Sequence, residues 1–171
     1  DDILNASCSV SDGSCWDELF IQKLNLEVGP SPIVQNFRLN RVVAGLQLNI
    51  QPDLPSNIAS ITIATESEHS TYKLHTGGTT GMVRREREWI LYSNQPLPKY
   101  LLMHVLNFGN SHRVVITAYD RTGSVAIRKT IENVMFYPNR KTVFTGNLSV
   151  DTNLGIELSP AWGDPAESIK F

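Results

Sequence analysis

The sequence lacks long apolar runs, a sustained helical period and an excess of either charge. A transmembrane helix needs an apolar run of about 18 residues, and none occurs. The net charge is only −2, from 15 Lys and Arg against 17 Asp and Glu. This balance argues against a nucleic-acid binder that works by phosphate neutralisation, because such domains are usually strongly basic. No stretch of about ten residues repeats its apolar side chains at a helical period. The chain begins with Asp1 rather than Met, and we expect it to be processed or trimmed.

Signatures of an active site or a metal site are also missing. No serine lies in a G-x-S-x-G pattern, and the glycine-rich stretch 76–81 lacks the Lys-Ser/Thr ending of a phosphate-binding loop. The four histidines are not at metal-ligand spacing: His69, His75, His104 and His112. We therefore expect a non-enzymatic protein without metal or cofactor. A hydrolase whose carboxylates meet only in the fold stays open as an alternative.

Cysteine is scarce, and its two copies lie close together. Cys8 and Cys15 flank a polar spacer that contains the turn signal Asp12-Gly13. The favoured interpretation is a small disulfide loop, which implies an oxidising compartment. The alternative is a pair of free thiols in a flexible N-terminal tail.

What the chain does contain is a series of short strand patterns separated by Pro, Gly and Asn. The strongest is Phe37–Ile50, in which Ala44, Leu46, Leu48 and Ile50 share one face. Gly45 within it indicates a bulge or a close backbone approach. Many short strands in 171 residues predict one all-β sandwich domain of about seven to nine strands.

The stretch Arg113–Leu148 predicts a hairpin followed by a third strand. Val114, Ile116 and Ala118 share one face before the turn, and the same alternation continues from Val125. Between them, residues 120–123 read Asp-Arg-Thr-Gly, which is typical of a type I turn closed by a glycine with left-handed backbone.

The first part of the chain is predicted to be a separate arm. Residues 1–36 are assigned to an N-terminal arm with the candidate disulfide loop and a covering strand at Leu19–Val28. Residues 37–171 are assigned to the sandwich. The rigid break Gly29–Pro32 separates the covering strand from the sandwich.

Three tryptophans provide the main alternative function. Trp16, Trp89 and Trp162 are candidates for a sugar-stacking platform, since indole faces pack on carbohydrate C–H groups. That hypothesis describes a carbohydrate-binding β-sandwich module at the cell surface. The competing interpretation places the same tryptophans in the core or at its rim.

The order of motifs resembles fimbrillin-type proteins, the pilus subunits and lipoprotein anchors of Gram-negative anaerobes. The pieces that carry the resemblance are LNRVVAGLQLNI, the hairpin stretch ending in TGNL, and IELSPAWGD. Glu132-Asn133-Val134 and Thr145–Leu148 are the most specific of them. The sequence departs from the family pattern at Gly45, where the family has lysine, and at Met135–Pro138. It also contains one domain's worth of chain, where many relatives have two.

The resemblance implies a transthyretin-like Greek-key sandwich and a secreted, surface-exposed adhesion protein at the outer membrane. In that family, lipoprotein precursors are trimmed after an arginine and joined by β-strand exchange. The matching candidate processing sites here are Arg38 and Arg41. The partners implied are other pilus subunits or surface proteins, with glycans or host proteins as further candidates. No nucleic acid and no transmembrane segment are expected, and a lipid anchor upstream stays open.

Overall fold

The computed structural model describes residues 6–11, 14–25, 27, 29–32, 34, 36, 38–50, 54–93, 95–148 and 155–162. The predicted turn Asp12-Gly13 lies outside these residues, as do Leu26, Val28 and Phe37. The described part of the chain forms eleven strands and no helix: β1 Ser7–Ser9, β2 Phe20–Ile21, β3 Asn40–Arg41, β4 Ala44–Asn49, β5 Ile58–Lys73, β6 Thr79–Ile90, β7 Tyr100–Val105, β8 His112–Asp120, β9 Val125–Val134, β10 Arg140–Thr145 and β11 Gly155–Ala161.

The predicted all-β class is confirmed. The eleven strands exceed the predicted seven to nine because β1, β2 and β3 are only two or three residues long. The Greek-key connectivity and the division at residue 37 stay predictions.

Two sheets form the body of the molecule. In the five-stranded sheet, β6 pairs with one edge of β5, while β8 and β1 pair with successive parts of the other edge; β9 follows β8. The four-stranded sheet has the order β11-β10-β4-β7, with β10 and β4 parallel. A further short sheet consists of β2 and β3 alone.

The main core lies between these two sheets. The predicted face of β4 is buried, with Ala44, Leu46 and Leu48 each fully inaccessible. From the other sheet, Ile61 and Ile63 of β5 join the same apolar cluster, together with alternate residues of β7 and β8. Period-two alternation on both inner faces is the arrangement expected for a sandwich.

The predicted hairpin turn is confirmed in detail. Gly123 has φ of +81°, and its amide donates to the Asp120 carbonyl at 3.0 Å. The Asp120 carboxylate accepts hydrogen bonds from the amides of Thr122 and Ser124. The Thr122 hydroxyl also donates to this carboxylate. The hydroxyl bond most strongly, and then the two amide bonds, lower the pKa of Asp120 from its usual value.

One strand differs from the sequence prediction in a way that shapes the candidate site. The polar sequence Glu-Ser-Glu-His of residues 66–69 is typical of a turn, but β5 continues through it to Lys73. A register shift between Thr65 and Glu68 marks an irregularity in its pairing with β6. An extra residue at a bulge re-aims the side chains that follow it. At this irregularity the Glu68 side chain is buried.

Candidate functional site

The described residues 6–11 and 14–21, here called the N-terminal segment, pack against the body of the sandwich. β1 pairs antiparallel with residues 71–73 of β5. The pairing continues at both ends, where Val10 N donates to Ser70 O at 3.0 Å and Leu74 N donates to Ala6 O at 2.9 Å. Within the five-stranded sheet, the N-terminal segment thus pairs with the part of β5 that lies beyond the end of β8.

Trp16 connects the two sheets at this side of the sandwich. Its indole is 4% exposed, and Nε1 donates to the His69 carbonyl in β5 at 2.9 Å. Its backbone bridges to His104 in β7. Trp16 forms a second apolar cluster with Val43, Tyr72 and Leu106. We call the surface under the N-terminal segment the covered groove, formed by these three residues with Glu68 and Arg85.

The covering strand predicted at Leu19–Val28 is described in part, because Leu26 and Val28 lie outside the described residues. Within the described residues of Leu19–Val28, a strand occurs at Phe20–Ile21, which pairs with Asn40–Arg41. Val42 N donates to Leu19 O at 2.9 Å and continues this contact. The N-terminal segment therefore lies beside Asn40–Val42, just before β4, and its role as a cover stays a prediction.

Arg85 anchors the N-terminal segment from below. Its side chain is fully buried, and Nη2 donates to the Val10 carbonyl at 3.1 Å. Nη1 donates to the carbonyls of Ser11 and Ser14. A guanidinium stays charged when buried, so these three carbonyls compensate a charge that has lost its water.

Glu68 lies in the same groove and is also fully buried. Its carboxylate accepts hydrogen bonds from the Thr65 hydroxyl at 2.9 Å and from Leu106 N at 3.2 Å. Burial raises the pKa of Glu68 to about 7, because the charged form loses hydration; these hydrogen bonds and the charge of Arg85 lower it less. The groove therefore contains an ionisable acid that titrates near neutrality.

Arg41 is held in an aromatic and ionic cluster at the edge of the segment. Its guanidinium lies 4.2 Å from the Trp162 ring centroid and 4.8 Å from that of Phe20. Nη2 pairs with Glu18 at 2.9 Å, and Nη1 donates to the Trp162 carbonyl at 3.3 Å. The cluster joins β3, the N-terminal segment and the end of β11.

His104 and Gly45 complete the surroundings of Trp162. The His104 and Trp162 rings are stacked, with centroids 5.2 Å apart and planes inclined by 7°. Burial lowers the pKa of His104, although the nearby Glu18 carboxylate raises it in part. Gly45 has no side chain between β4 and the Trp162 ring. Of the two alternatives predicted for Gly45, a bulge or a close approach to the backbone, the structure has the close approach, made by the Trp162 ring.

The two candidate processing sites have contrasting environments. Arg38 is exposed and lies outside any strand. Arg41 lies in β3 and its side chain is only 12% exposed. The bond after Arg41 leads directly into Val42, whose amide is hydrogen-bonded, and the buried Val43. Processing at either site stays a prediction, and the geometry favours Arg38.

The cysteines do not form the predicted disulfide loop in this structure, where both are free thiols. Cys8 packs against the Trp16 cluster and Cys15 against the main core. The Cys15 thiol donates to the Glu86 carbonyl at 3.7 Å. Burial raises the pKa of this thiol, and Glu68 raises it further.

The three tryptophans do not share one open face. Trp16 is buried in the covered groove. Trp162 is faced by His104 and by the cations of Arg41 and Lys141. Trp89 lies on β6 and packs against the main core, with Arg87 over its ring at 5.2 Å.

Arg85 and Glu68 are the site residues that the sequence analysis missed. Arg85 lies within RRERE, whose charges are typical of a solvated edge. The sequence indicated only that Arg85 shares a face of β6 with Arg87 and Trp89, because residues two apart in a strand point the same way. Glu68 gave no signal, since the irregularity that buries it is not visible in the sequence.

Among the described residues, no group of three or more His, Cys, Asp or Glu is arranged to hold a metal ion. Within the same ranges, no helix has the length and apolarity needed to cross a membrane. Comparison with protein-family models, with curated proteins and with solved structures finds no match for this chain.

Proposed function

We propose that this protein is a non-enzymatic structural or adhesion protein of the cell surface that assembles by β-strand exchange. In this proposal it resembles a fimbrial subunit or anchor, exported to the outer membrane. The N-terminal segment is the removable cover of a groove that an incoming strand later fills. The proposal rests on the fimbrillin-like order of motifs together with the covered groove.

The observation that supports the proposal most directly is how the segment is attached. It contributes a strand to an existing sheet edge and an indole to an apolar cluster. Removal of such a segment leaves unpaired backbone groups beside an apolar floor, and an added strand satisfies both.

The connection between cover and sandwich is accessible to a protease. Every described residue from 22 to 40 is exposed, and no strand occurs between Ile21 and Asn40 within them. Arg38 is in this exposed stretch. A cut there separates the segment from the sandwich without breaking a described strand.

Limited digestion with trypsin tests this function. We expect an early cut after Arg38, survival of the Arg41–Val42 bond, and oligomers once the N-terminal piece is released. Mass spectrometry identifies the cut, and size-exclusion chromatography with light scattering gives the assembly state.

The double variant Lys23→Gln/Arg38→Gln is the matched control, because it removes both tryptic sites of the exposed connection and leaves the buried contacts of the N-terminal segment intact. The variant should keep its cover and stay monomeric under the same digestion. If wild-type protein yields a stable trimmed monomer, or is cut only after global unfolding, strand exchange at this edge is wrong. The protein is then a stand-alone surface domain.

A further inference from the structure

The floor of the covered groove contains a fully buried positive charge. The Arg85 guanidinium has its described hydrogen bonds only to backbone carbonyls of the N-terminal segment, at Val10, Ser11 and Ser14. Within the described part of the chain, no carboxylate lies within ion-pair distance of it. Departure of the segment therefore removes every described acceptor from Arg85.

The neighbouring acid does not substitute for those carbonyls. Glu68 directs one carboxylate oxygen to the Thr65 hydroxyl and the other to Leu106 N. Turning Glu68 toward Arg85 would leave these two buried donors without an acceptor, and unsatisfied buried groups are costly. An occupant of the groove must therefore supply its own acceptor for Arg85.

The geometry of the three carbonyls restricts which occupant can do so. They converge on one guanidinium because Ser14 N donates to Ser11 O at 3.2 Å, which holds Ser14 close to Ser11. In an extended strand, carbonyls that point the same way are roughly 7 Å apart. An extended strand therefore cannot direct three carbonyls at one guanidinium, whereas one carboxylate accepts two parallel hydrogen bonds from it.

We propose that the covered groove selects an apolar strand carrying one acidic side chain opposite Arg85. The inference rests on the proposed strand exchange and adds the chemistry of the incoming partner. Apolar residues of that strand replace Trp16 against Val43 and Leu106, and its carboxylate replaces the three carbonyls. A strand with a basic residue at this position is rejected, because two buried like charges repel each other.

The test uses the full chain with a protease recognition sequence inserted between Ser31 and Pro32, so that the exposed connection can be cut under native conditions. Labelled strand peptides of alternating valine and threonine are titrated into the cut protein, and binding is followed by fluorescence anisotropy. Each peptide of one set carries a single aspartate at a different position. A matched set carries asparagine at the same positions.

We expect one aspartate position at which binding is about tenfold tighter than with asparagine. Arg85→Met should reduce that ratio to near one, and Arg85→Lys should keep part of it, since lysine retains the charge without the planar fork. If Arg85→Met does not fold, the ratio of aspartate to asparagine affinity in wild type and in Arg85→Lys still tests the proposal.

Two other results would contradict either the role of Arg85 or strand exchange itself. If aspartate and asparagine peptides bind equally at every position, the role of Arg85 is wrong while strand exchange stands. If no peptide of either set binds, the strand exchange itself is wrong, and the inference is overturned with it.

Discussion

Gly45 and Trp162 are so close that a side chain cannot be placed between them. A Cβ atom at Gly45 would lie 2.7 Å from Cζ3 and 2.9 Å from Cη2 of the Trp162 ring. These distances are shorter than van der Waals contact, so any residue larger than glycine must displace the ring. The pair joins β4 in the four-stranded sheet to the end of β11, and Trp162 in turn holds Arg41 and His104.

The first prediction follows from this contact. Gly45→Ala should lower the free energy of unfolding by about 1–3 kcal/mol, because overpacking forces the indole out of its stack. Chemical denaturation measures the change. In a Trp162→Ala background the same substitution should cost much less, since the clash is gone.

Gly29→Ala is the matched control, because no atom lies within 4 Å of the added carbon. It should leave the free energy of unfolding nearly unchanged. Equal effects at Gly45 and Gly29 would show that the Trp162 ring does not occupy the described position.

The second prediction concerns the hairpin turn. Gly123 has a left-handed backbone, and no atom lies within 4 Å of an added Cβ. Gly123→Val should therefore destabilise by about 1 kcal/mol or more through backbone strain alone. Gly123→Asn should cost less, since asparagine tolerates this conformation. An unchanged melting temperature for the valine variant would mean that the turn is misassigned.

The third prediction concerns pH and Glu68. Its folded pKa of about 7 exceeds the ordinary value of 4.5. The native state therefore binds this proton more tightly than the unfolded state, and Glu68 makes the protein less stable as pH rises from 4.5 toward 7. Glu68→Gln removes this loss while keeping a hydrogen-bonding group next to Thr65 and Leu106.

The measurement is the free energy of unfolding of both proteins at pH 5 and at pH 8. The free energy of unfolding of the variant minus that of wild type should be about 2–3 kcal/mol larger at pH 8 than at pH 5. One pKa unit corresponds to about 1.4 kcal/mol. The buried histidines contribute equally to both proteins and cancel in the comparison. A constant difference across this range would contradict the raised pKa.

The fourth prediction decides between the free thiols of the structure and the disulfide expected from the sequence. In unreduced, unfolded protein, a thiol-reactive chromogenic reagent should detect both Cys8 and Cys15. In the native protein Cys15 should react more slowly than an exposed thiol, because burial raises its pKa and limits access. Cys15→Ser should leave a single reactive group. Detection of none in wild type would restore the disulfide loop and the oxidising compartment.

The all-β class, the inner face of β4 and the turn at Asp120–Gly123 were predictable from local sequence patterns. These features are local, because a period of two identifies a half-buried strand and glycine after a polar turn identifies a left-handed residue. Even the close approach at Gly45 was indicated by a glycine inside a strand pattern. The partner in that approach, Trp162, is more than a hundred residues away in the chain, and no local pattern indicates it.

Which charged residues are buried could not be predicted in this way, because it depends on contacts between distant parts of the chain. Arg85 and Arg84 are adjacent in the same charge cluster, yet Arg85 is inaccessible and Arg84 is exposed. Strand parity turns Arg85 inward, and the N-terminal segment then closes over it with three carbonyls. Burial of a charge depends on acceptors supplied by distant parts of the chain. For that reason no local pattern predicted the covered groove or the burial of Arg85. The different environments of Arg38 and Arg41 likewise depend on contacts between distant parts of the chain.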